Sequence, residues 1–214
     1  MEITSAVRPL ETFTPTRAAG QRDALSLALE PMPHLQVAFV GVGARGQVAV
    51  TRWCHIPGVH IAAVCDVSKQ AAEEAAQHVE QLGKPRPVVY WGEMAYRQLC
   101  QQQGLNLVYV CTDWLSHVPI ATYAMQCGKC VAVEVPAALT LKDIWQLVDT
   151  AEQTQQHCMM LENAVYDHFE MAVQQMAHEG LFGELVHVEG GYAHPIGNRW
   201  TAWRMEYNRL NCGD

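Results

Sequence analysis

No stretch of the chain approaches the roughly 18 consecutive apolar residues that a membrane-spanning helix needs. The N-terminus also lacks the apolar core of a secretory signal, so a cytoplasmic protein is expected. Lys and Arg form no run, and 14 of them against 22 Asp and Glu give a formal net charge of −8. That balance excludes the basic footprint of a nucleic-acid binder or of a protein held on an anionic membrane, and leaves a small molecule as the expected partner. No residue type dominates any window and no repeat is visible, which removes collagen-like, disordered and array architectures. There is no second CxxC. Cys127 and Cys130 form a lone pair across a Gly-Lys turn, half of a zinc site or a redox pair at most, and no metal site is expected.

What is present is a chain of 214 residues, half of them hydrophobic, which is enough to bury a core. The eight cysteines fall mostly in apolar strand or helix patterns and read as reduced, buried thiols rather than a disulfide framework. Residues 1–34 carry scattered prolines and threonines, with only "ALSLALE" suggesting a short helix, and read as an N-terminal extension without an assigned function.

From Leu35 the pattern changes. "LQVAFVGVG" is a nearly continuous apolar run closed by glycines, as expected of a strand covered on both faces. "VHIAAVCDV", "PVVYW", "LNLVYVCT", "CVAVEVP" and "HCMMLEN" follow, separated by segments of helix length, and this alternation predicts a doubly wound α/β fold with a parallel sheet. Thr140 and Asp143 resemble a capping box ahead of a helix with Leu141, Ile144, Leu147, Val148 and Ala151 on one stripe. A later helix uses Phe169, Val173 and Met176 and stops near Gly180. "LVHVEGGYAH" then alternates as a half-exposed strand would, and predicts the start of a second, α+β domain with little chain left to complete it. The expected division is residues 1–34 as extension, 35–164 as a dinucleotide-binding domain and 165–214 as the start of a substrate domain.

Gly41, Gly43 and Gly46 stand in GxGxxG register directly after the first strand and before a helix. In that setting the first glycine permits a tight turn, the second lets backbone N–H groups approach a pyrophosphate, and the third allows close helix–strand packing. The second strand ends in Asp66, about twenty residues beyond the last glycine, where an acceptor for a ribose 2′-hydroxyl belongs; a turn or cap role ahead of Ser68 is the alternative. A carboxylate there repels a 2′-phosphate, which favours NAD over NADP, with Arg45 in the loop as the counter-indication.

Ligands of open parallel sheets bind beyond the carboxyl ends of the strands. Glu134 is expected to end strand five and Asn163 strand six, while Thr112, Asp113, Trp114 and His117 follow strand four. Asp113 as a helix cap, and Trp114 and His117 as packing residues, are the alternatives.

The segments "GVGARG", "CDV", "TDWLSHVP", "GKCVAVEVPAALTL", "CMMLENAVYDHFE", "GLFGELVHVEGGYAH" and "WRMEYN" resemble the Gfo/Idh/MocA oxidoreductase superfamily. Within it they are similar to the family-109 glycoside hydrolases, NAD-dependent α-N-acetylgalactosaminidases, from about Leu35 to the chain end. The resemblance implies that Ala44, Arg45, Asp66, Trp114, Leu115, Ser116, His117, Glu134, Val135 and Asn163 contact NAD, and that Tyr192 and Arg204 contact the sugar. Ordinary dehydrogenases of the superfamily carry a lysine directly after the strand-five glutamate, whereas this chain has Val135, as in the glycosidase branch. The implied chemistry departs from two-carboxylate hydrolysis: hydride leaves sugar C3, the C2 proton becomes acidic, the glycosidic oxygen is eliminated, water adds, and hydride returns. Members of that family continue into a Tyr-Pro-Thr-His motif about where this chain ends, so the catalytic acid and base are expected outside it. Tyr166, His194 and Tyr207 qualify only by residue type.

Two other classes remain open at this stage: a module that holds NAD without catalysis, and a sugar oxidoreductase. An incomplete second domain is also expected to expose apolar surface and favour self-association.

Overall fold

In the computed structural model of the chain, residues 15–17 and 19–191 are described. They fall into two compact units, divided between Met160 and Leu161.

The first unit is built on six parallel strands: β1 (Leu35–Val40), β2 (Val59–Asp66), β3 (Val88–Trp91), β4 (Leu107–Val110), β5 (Cys130–Val133) and β6 (Cys158–Met160). Their order across the sheet is β3-β2-β1-β4-β5-β6, with the first strand central and the chain winding outward on each side. This is the doubly wound order of a Rossmann fold. Helices α1 (Ala44–Trp53), α2 (Lys69–Gln81), α3 (Ala95–Cys100), α4 (Trp114–Gln126) and α5 (Leu141–Thr154) make the connections.

The strands are apolar throughout because both faces are covered. In β1, Ala38 and Val40 enter a core with Val108, Val110, Leu99, Val118, Ala121 and Leu147, contributed by β4, α3, α4 and α5. Their alternating neighbours Val37 and Phe39 are buried too, and Phe39 meets Trp53 of α1 on the opposite face. Small residues let α2 lie close: Ala72, Ala75, Ala76 and Val79 are its buried side chains. Ser68 caps that helix by accepting from the Ala71 N–H at 3.3 Å.

Thr140 caps α5 as expected, its hydroxyl accepting from the Asp143 N–H at 3.1 Å and donating to Asp143 Oδ2 at 2.8 Å. The buried face of α5 is shifted from the expected stripe: Leu147 and Ala151 are covered, but Leu141 and Ile144 are exposed. Burial instead extends to Thr150 and Glu152. Glu152 is 3% exposed because the N-terminal extension lies on it. Arg17 donates to both of its carboxylate oxygens, at 2.7 and 3.0 Å, and stands 5.5 Å over the Trp145 ring. Gln21 adds a third bond at 2.7 Å, and Arg22 donates to Gln155 Oε1 at 2.9 Å. The expected helix in residues 24–30 does not form. Leu25 is 98% exposed, so the segment has no face to bury, and Asp23 Oδ1 takes the Leu25 N–H at 3.0 Å into a local turn instead.

In the second unit a short 3₁₀ turn (Ala164–Tyr166) precedes α6 (His168–His178), which ends at Gly180 with φ +73°. Phe169, Val173 and Met176 lie on its exposed surface. The strand expected in "LVHVEGGYAH" is not formed over its described part, residues 185–191. A strand needs a neighbour to take its N–H and C=O groups, and the described residues of this unit offer none.

No helix among the described residues is long and apolar enough to cross a membrane.

Candidate functional site

The candidate site is the carboxyl edge of the first unit's sheet, where β1, β2, β4 and β5 deliver their following residues side by side. The three loop glycines answer to three different constraints. Gly41 has φ +87°, and a Cβ there would lie 2.3 Å from the Cys111 carbonyl oxygen, so the turn packs its bare backbone onto the end of β4. A Cβ on Gly46 would lie 2.2 Å from the Gly41 carbonyl oxygen, so the first turn of α1 closes directly on the loop. Gly43 differs: a Cβ would meet nothing within 4 Å, and the residue is exposed at the N-cap of α1 with no side-chain cap. Among the described residues, the first N–H groups of α1 have no side-chain cap and open onto free space, as an anion site requires.

Asp66, the last residue of β2, ties this loop to the next. Its Oδ2 accepts from the Val42 N–H and its Oδ1 from the Ser68 N–H, each at 2.9 Å. The turn role and the acceptor role are thus compatible, because each oxygen keeps a second lone pair for a ligand hydroxyl. Trp91 lies in register with Asp66 on β3, and Lys69 Nζ stands 4.6 Å over the Trp91 ring. Neither was singled out in the sequence.

Glu134 follows β5 by one residue rather than ending it, and its N–H still continues the ladder to the Val110 carbonyl at 3.0 Å. It is 9% exposed. Its Oε1 accepts from Arg45 Nε at 2.9 Å and from the Tyr109 hydroxyl at 2.5 Å, while its Oε2 receives no hydrogen bond among the described residues. The pairing raises the Arg45 pKa, first through that hydrogen bond. It also disposes of Arg45 as a sign of NADP: the guanidinium is engaged at Glu134 and not at Asp66. Burial, then the Glu134 bond, pushes the Tyr109 hydroxyl well up. Burial pushes the neighbouring Cys111 thiol up to about 12, with Glu134 adding to the shift and Arg45 opposing it.

Asp113 caps α4, accepting from the Leu115 and Ser116 N–H groups at 3.0 and 3.2 Å and from the Ser116 hydroxyl at 2.7 Å. For Asp113 the capping alternative holds. His117, 1% exposed, has Nδ1 2.8 Å from the Pro136 carbonyl and Nε2 3.3 Å from the Thr112 carbonyl. It thereby joins the loop after β4 to the loop after β5, which includes a cis Val135–Pro136 peptide. Trp114 is half-buried, while Leu115 and Val135 are exposed.

Gly41, Gly43, Ala44, Arg45, Gly46, Asp66, Trp114, Leu115, Ser116, His117, Glu134 and Val135 therefore lie on or next to this edge. Asn163 does not end strand six. β6 stops at Met160, and Asn163 belongs to the second unit, before the 3₁₀ turn, with no capping hydrogen bond from its side chain. The 3₁₀ turn itself contains Tyr166, which is exposed. Tyr192, His194, Arg204 and Tyr207 lie outside the described residues. Cys127 ends α4 and Cys130 opens β5, and among the described residues no group of three or more His, Cys, Asp or Glu is placed to hold a metal.

Comparison with known proteins agrees with this geometry. Residues 35–162 match the Gfo/Idh/MocA oxidoreductase family, described by its NAD-binding Rossmann fold. The chain is 44% identical over 211 residues to glycosyl hydrolase family 109 protein 1 of Bacteroides thetaiotaomicron, covering 96% of this chain and 45% of that protein. It is 46% identical over 216 residues to the protein of the same name from Phocaeicola vulgatus, covering 99% of this chain and 46% of that one. It thus spans less than half the length of these relatives. Among solved structures, the myo-inositol dehydrogenase of Lactobacillus casei in complex with NAD(H) and myo-inositol superposes with a TM-score of 0.64 at 23% identity, over 70% of this chain and 43% of that one. An NAD-binding protein from Listeria innocua superposes at 0.58 with 25% identity, over 70% and 42%. On the match of residues 35–162, the chain belongs to the Gfo/Idh/MocA oxidoreductase family and carries its NAD-binding Rossmann fold.

Proposed function

We propose that this chain is the cofactor-binding part of an NAD-dependent glycosidase of the kind its relatives are named for, acting on terminal α-linked N-acetylgalactosamine. Residues 35–164 would form the NAD domain and 165–214 the start of the sugar domain. The observation that carries the reading is Val135: an exposed apolar side chain follows Glu134, in a chain 44% identical to a family-109 glycosyl hydrolase. Superfamily dehydrogenases place a proton-transferring lysine there, and valine cannot move a proton.

NAD, when bound, would supply reversible hydride acceptance at sugar C3, which acidifies the C2 proton and lets the glycosidic oxygen leave before water adds. The residues of this edge fit the cofactor. The open N–H groups around Gly43 suit a pyrophosphate, the spare lone pairs of Asp66 suit the adenosine ribose, and Glu134 Oε2 is a buried acceptor without a donor among the described residues. Ala44, Arg45, Trp114, Leu115, Ser116, His117 and Val135 would line the same cofactor, with Asn163, Tyr192 and Arg204 completing the cofactor and sugar contacts. These residues bind and orient. The catalytic acid and base are not assigned among them.

The test is to incubate the 214-residue protein with NAD and a chromogenic α-N-acetylgalactosaminide. Colour release without net NADH accumulation supports the reading. NAD retention without turnover favours a binding module, and NADH accumulation driven by a free sugar favours a sugar oxidoreductase.

A further inference from the structure

The aromatic side chains beneath Glu134 belong to none of the sequence motifs. Tyr109 lies in the middle of β4, 5% exposed, in a run that reads as plain apolar strand. Its ring is stacked on Phe39 of β1, with centroids 4.8 Å apart and planes 24° from parallel. Trp53 of α1 meets both rings edge-on, at 5.5 Å from Tyr109 and 5.9 Å from Phe39. A ring packed by two aromatic neighbours from two other elements has little freedom to swing. Its hydroxyl is therefore a fixed donor, and it points at Glu134 Oε1, 2.5 Å away.

Arg45 Nε donates to that same oxygen at 2.9 Å, from α1. The two donors come from different elements and converge on one oxygen. A carboxylate gripped in this way cannot rotate without breaking both bonds, so Oε2 is held in one direction, its acceptor capacity unspent among the described residues. Arg45 is on the exposed side and half-accessible, a pair that water and salt weaken. Tyr109 is buried, and its raised pKa keeps the hydroxyl protonated throughout the range in which the protein is handled.

We infer that Tyr109 is a positioning residue for the cofactor site: its hydroxyl, fixed by Phe39 and Trp53, sets the orientation in which Glu134 offers Oε2 to NAD. The inference rests on the placing of Glu134 at the cofactor under Proposed function. It concerns a residue that touches Glu134 and not the ligand.

Tyr109→Phe removes one oxygen and keeps the stacked ring, so the fold is retained. NAD dissociation constants are measured by calorimetry on the full 214-residue chain for the wild type, Tyr109→Phe, Glu134→Gln and the double variant, with melting temperatures alongside. Loss of a buried, charge-assisted bond predicts about tenfold weaker NAD binding for Tyr109→Phe. In the Glu134→Gln background the same change should cost less than about twofold, since the carboxylate it orients is gone. Equal losses in both backgrounds would mean that Tyr109 acts only through packing and would overturn the inference. An unchanged constant in Tyr109→Phe, with Glu134→Gln impaired, would overturn it too while leaving Glu134 at the cofactor. If Glu134→Gln itself binds NAD as the wild type does, the placing of Glu134 fails, and the inference fails with it.

Discussion

Alanine at Gly43, the N-cap of α1, and at Gly46, in its first turn, separates what the loop does for the fold from what it does for the ligand. At Gly46 the added Cβ would stand 2.2 Å from the Gly41 carbonyl oxygen and 3.0 Å from its carbon. Ordinary contacts of this kind exceed 3.4 Å, so helix and loop must part by about 1 Å. The neighbour is backbone and cannot swing aside. Overpacking of this sort costs about 1–3 kcal/mol. Helix propensity returns up to about 1 kcal/mol for alanine over glycine, which offsets only the low end of that range, and a rigid backbone neighbour at 2.2 Å puts the clash above it. For a chain of this size each kcal/mol lowers Tm by about 2–4 °C, so Gly46→Ala should melt several degrees early even without ligand.

Gly43 has φ −66° and ψ −162°, a backbone any residue adopts, and nothing within 4 Å of its would-be Cβ. Gly43→Ala should melt within about 1 °C of the wild type, since a surface change away from special features stays within about 0.5 kcal/mol. Its effect should appear only with ligand. A methyl group in the space where, under the proposed function, the pyrophosphate would approach the α1 N–H groups should weaken NAD binding by at least about tenfold. Differential scanning fluorimetry with and without NAD reads both quantities. If Gly43→Ala destabilises the free protein as much as Gly46→Ala, or binds NAD normally, the assignment of the open space to the cofactor is wrong.

Asp66→Asn should weaken NAD binding about tenfold or more by calorimetry, because an amide replaces one of the two acceptors that hold the Val42 and Ser68 N–H groups and that, under the proposed function, would face the ribose. The same variant should not gain affinity for NADP, since the Arg45 guanidinium is held at Glu134. Burial raises the Cys65, Cys100 and Cys111 thiols from an ordinary value of 9.0 to about 12. A raised thiol stabilises the fold fully below its unfolded pKa and loses that contribution as pH climbs to the folded one. Denaturant midpoints should therefore fall between about pH 9 and 12, and iodoacetamide at pH 8 should reach the buried Cys65 and Cys100 thiols only at the rate of global unfolding. Hydrogen bonding from Arg17 holds the Glu152 carboxyl below its ordinary 4.5. That contribution is present above 4.5 and lost as pH falls through the lower folded value, so limited acid proteolysis should cut first within residues 15–30, and Arg17→Ala should open the same sites at neutral pH.

The sheet was legible because a doubly covered strand leaves a plain record: apolar runs of strand length closed by Gly or Asp, with helix-length spacers. β1, β2 and β4 sit where those runs lie. The placing of the glycine loop and Asp66 was legible for the same reason, as their turn geometry and hydrogen bonds are set within some twenty-five positions of chain. Tyr109 was not, because its ring belongs to an apolar strand pattern and only its hydroxyl to the site. The clasp on Glu152 was not either: Arg17 is 135 positions away, and no local periodicity reports a contact across that span. The α5 stripe failed at Leu141 and Ile144 because an apolar stripe says which face is available for burial, not how far a neighbour extends along it.

The two carboxylates of the edge are used in opposite ways, and the difference bears on what this part of the protein contributes. Asp66 spreads its load, one backbone N–H on each oxygen, which leaves one free lone pair on each and a bidentate grip suited to a vicinal diol. Glu134 concentrates its load, two donors on Oε1 and none from the described residues on Oε2, which leaves one directed acceptor. The first arrangement tolerates small shifts of the ligand, and the second does not. Under the proposed function, a fixed acceptor next to Val135, which transfers no proton, would make the strand-five end a positioning device, and proton transfer would fall to groups outside β5 and its following loop.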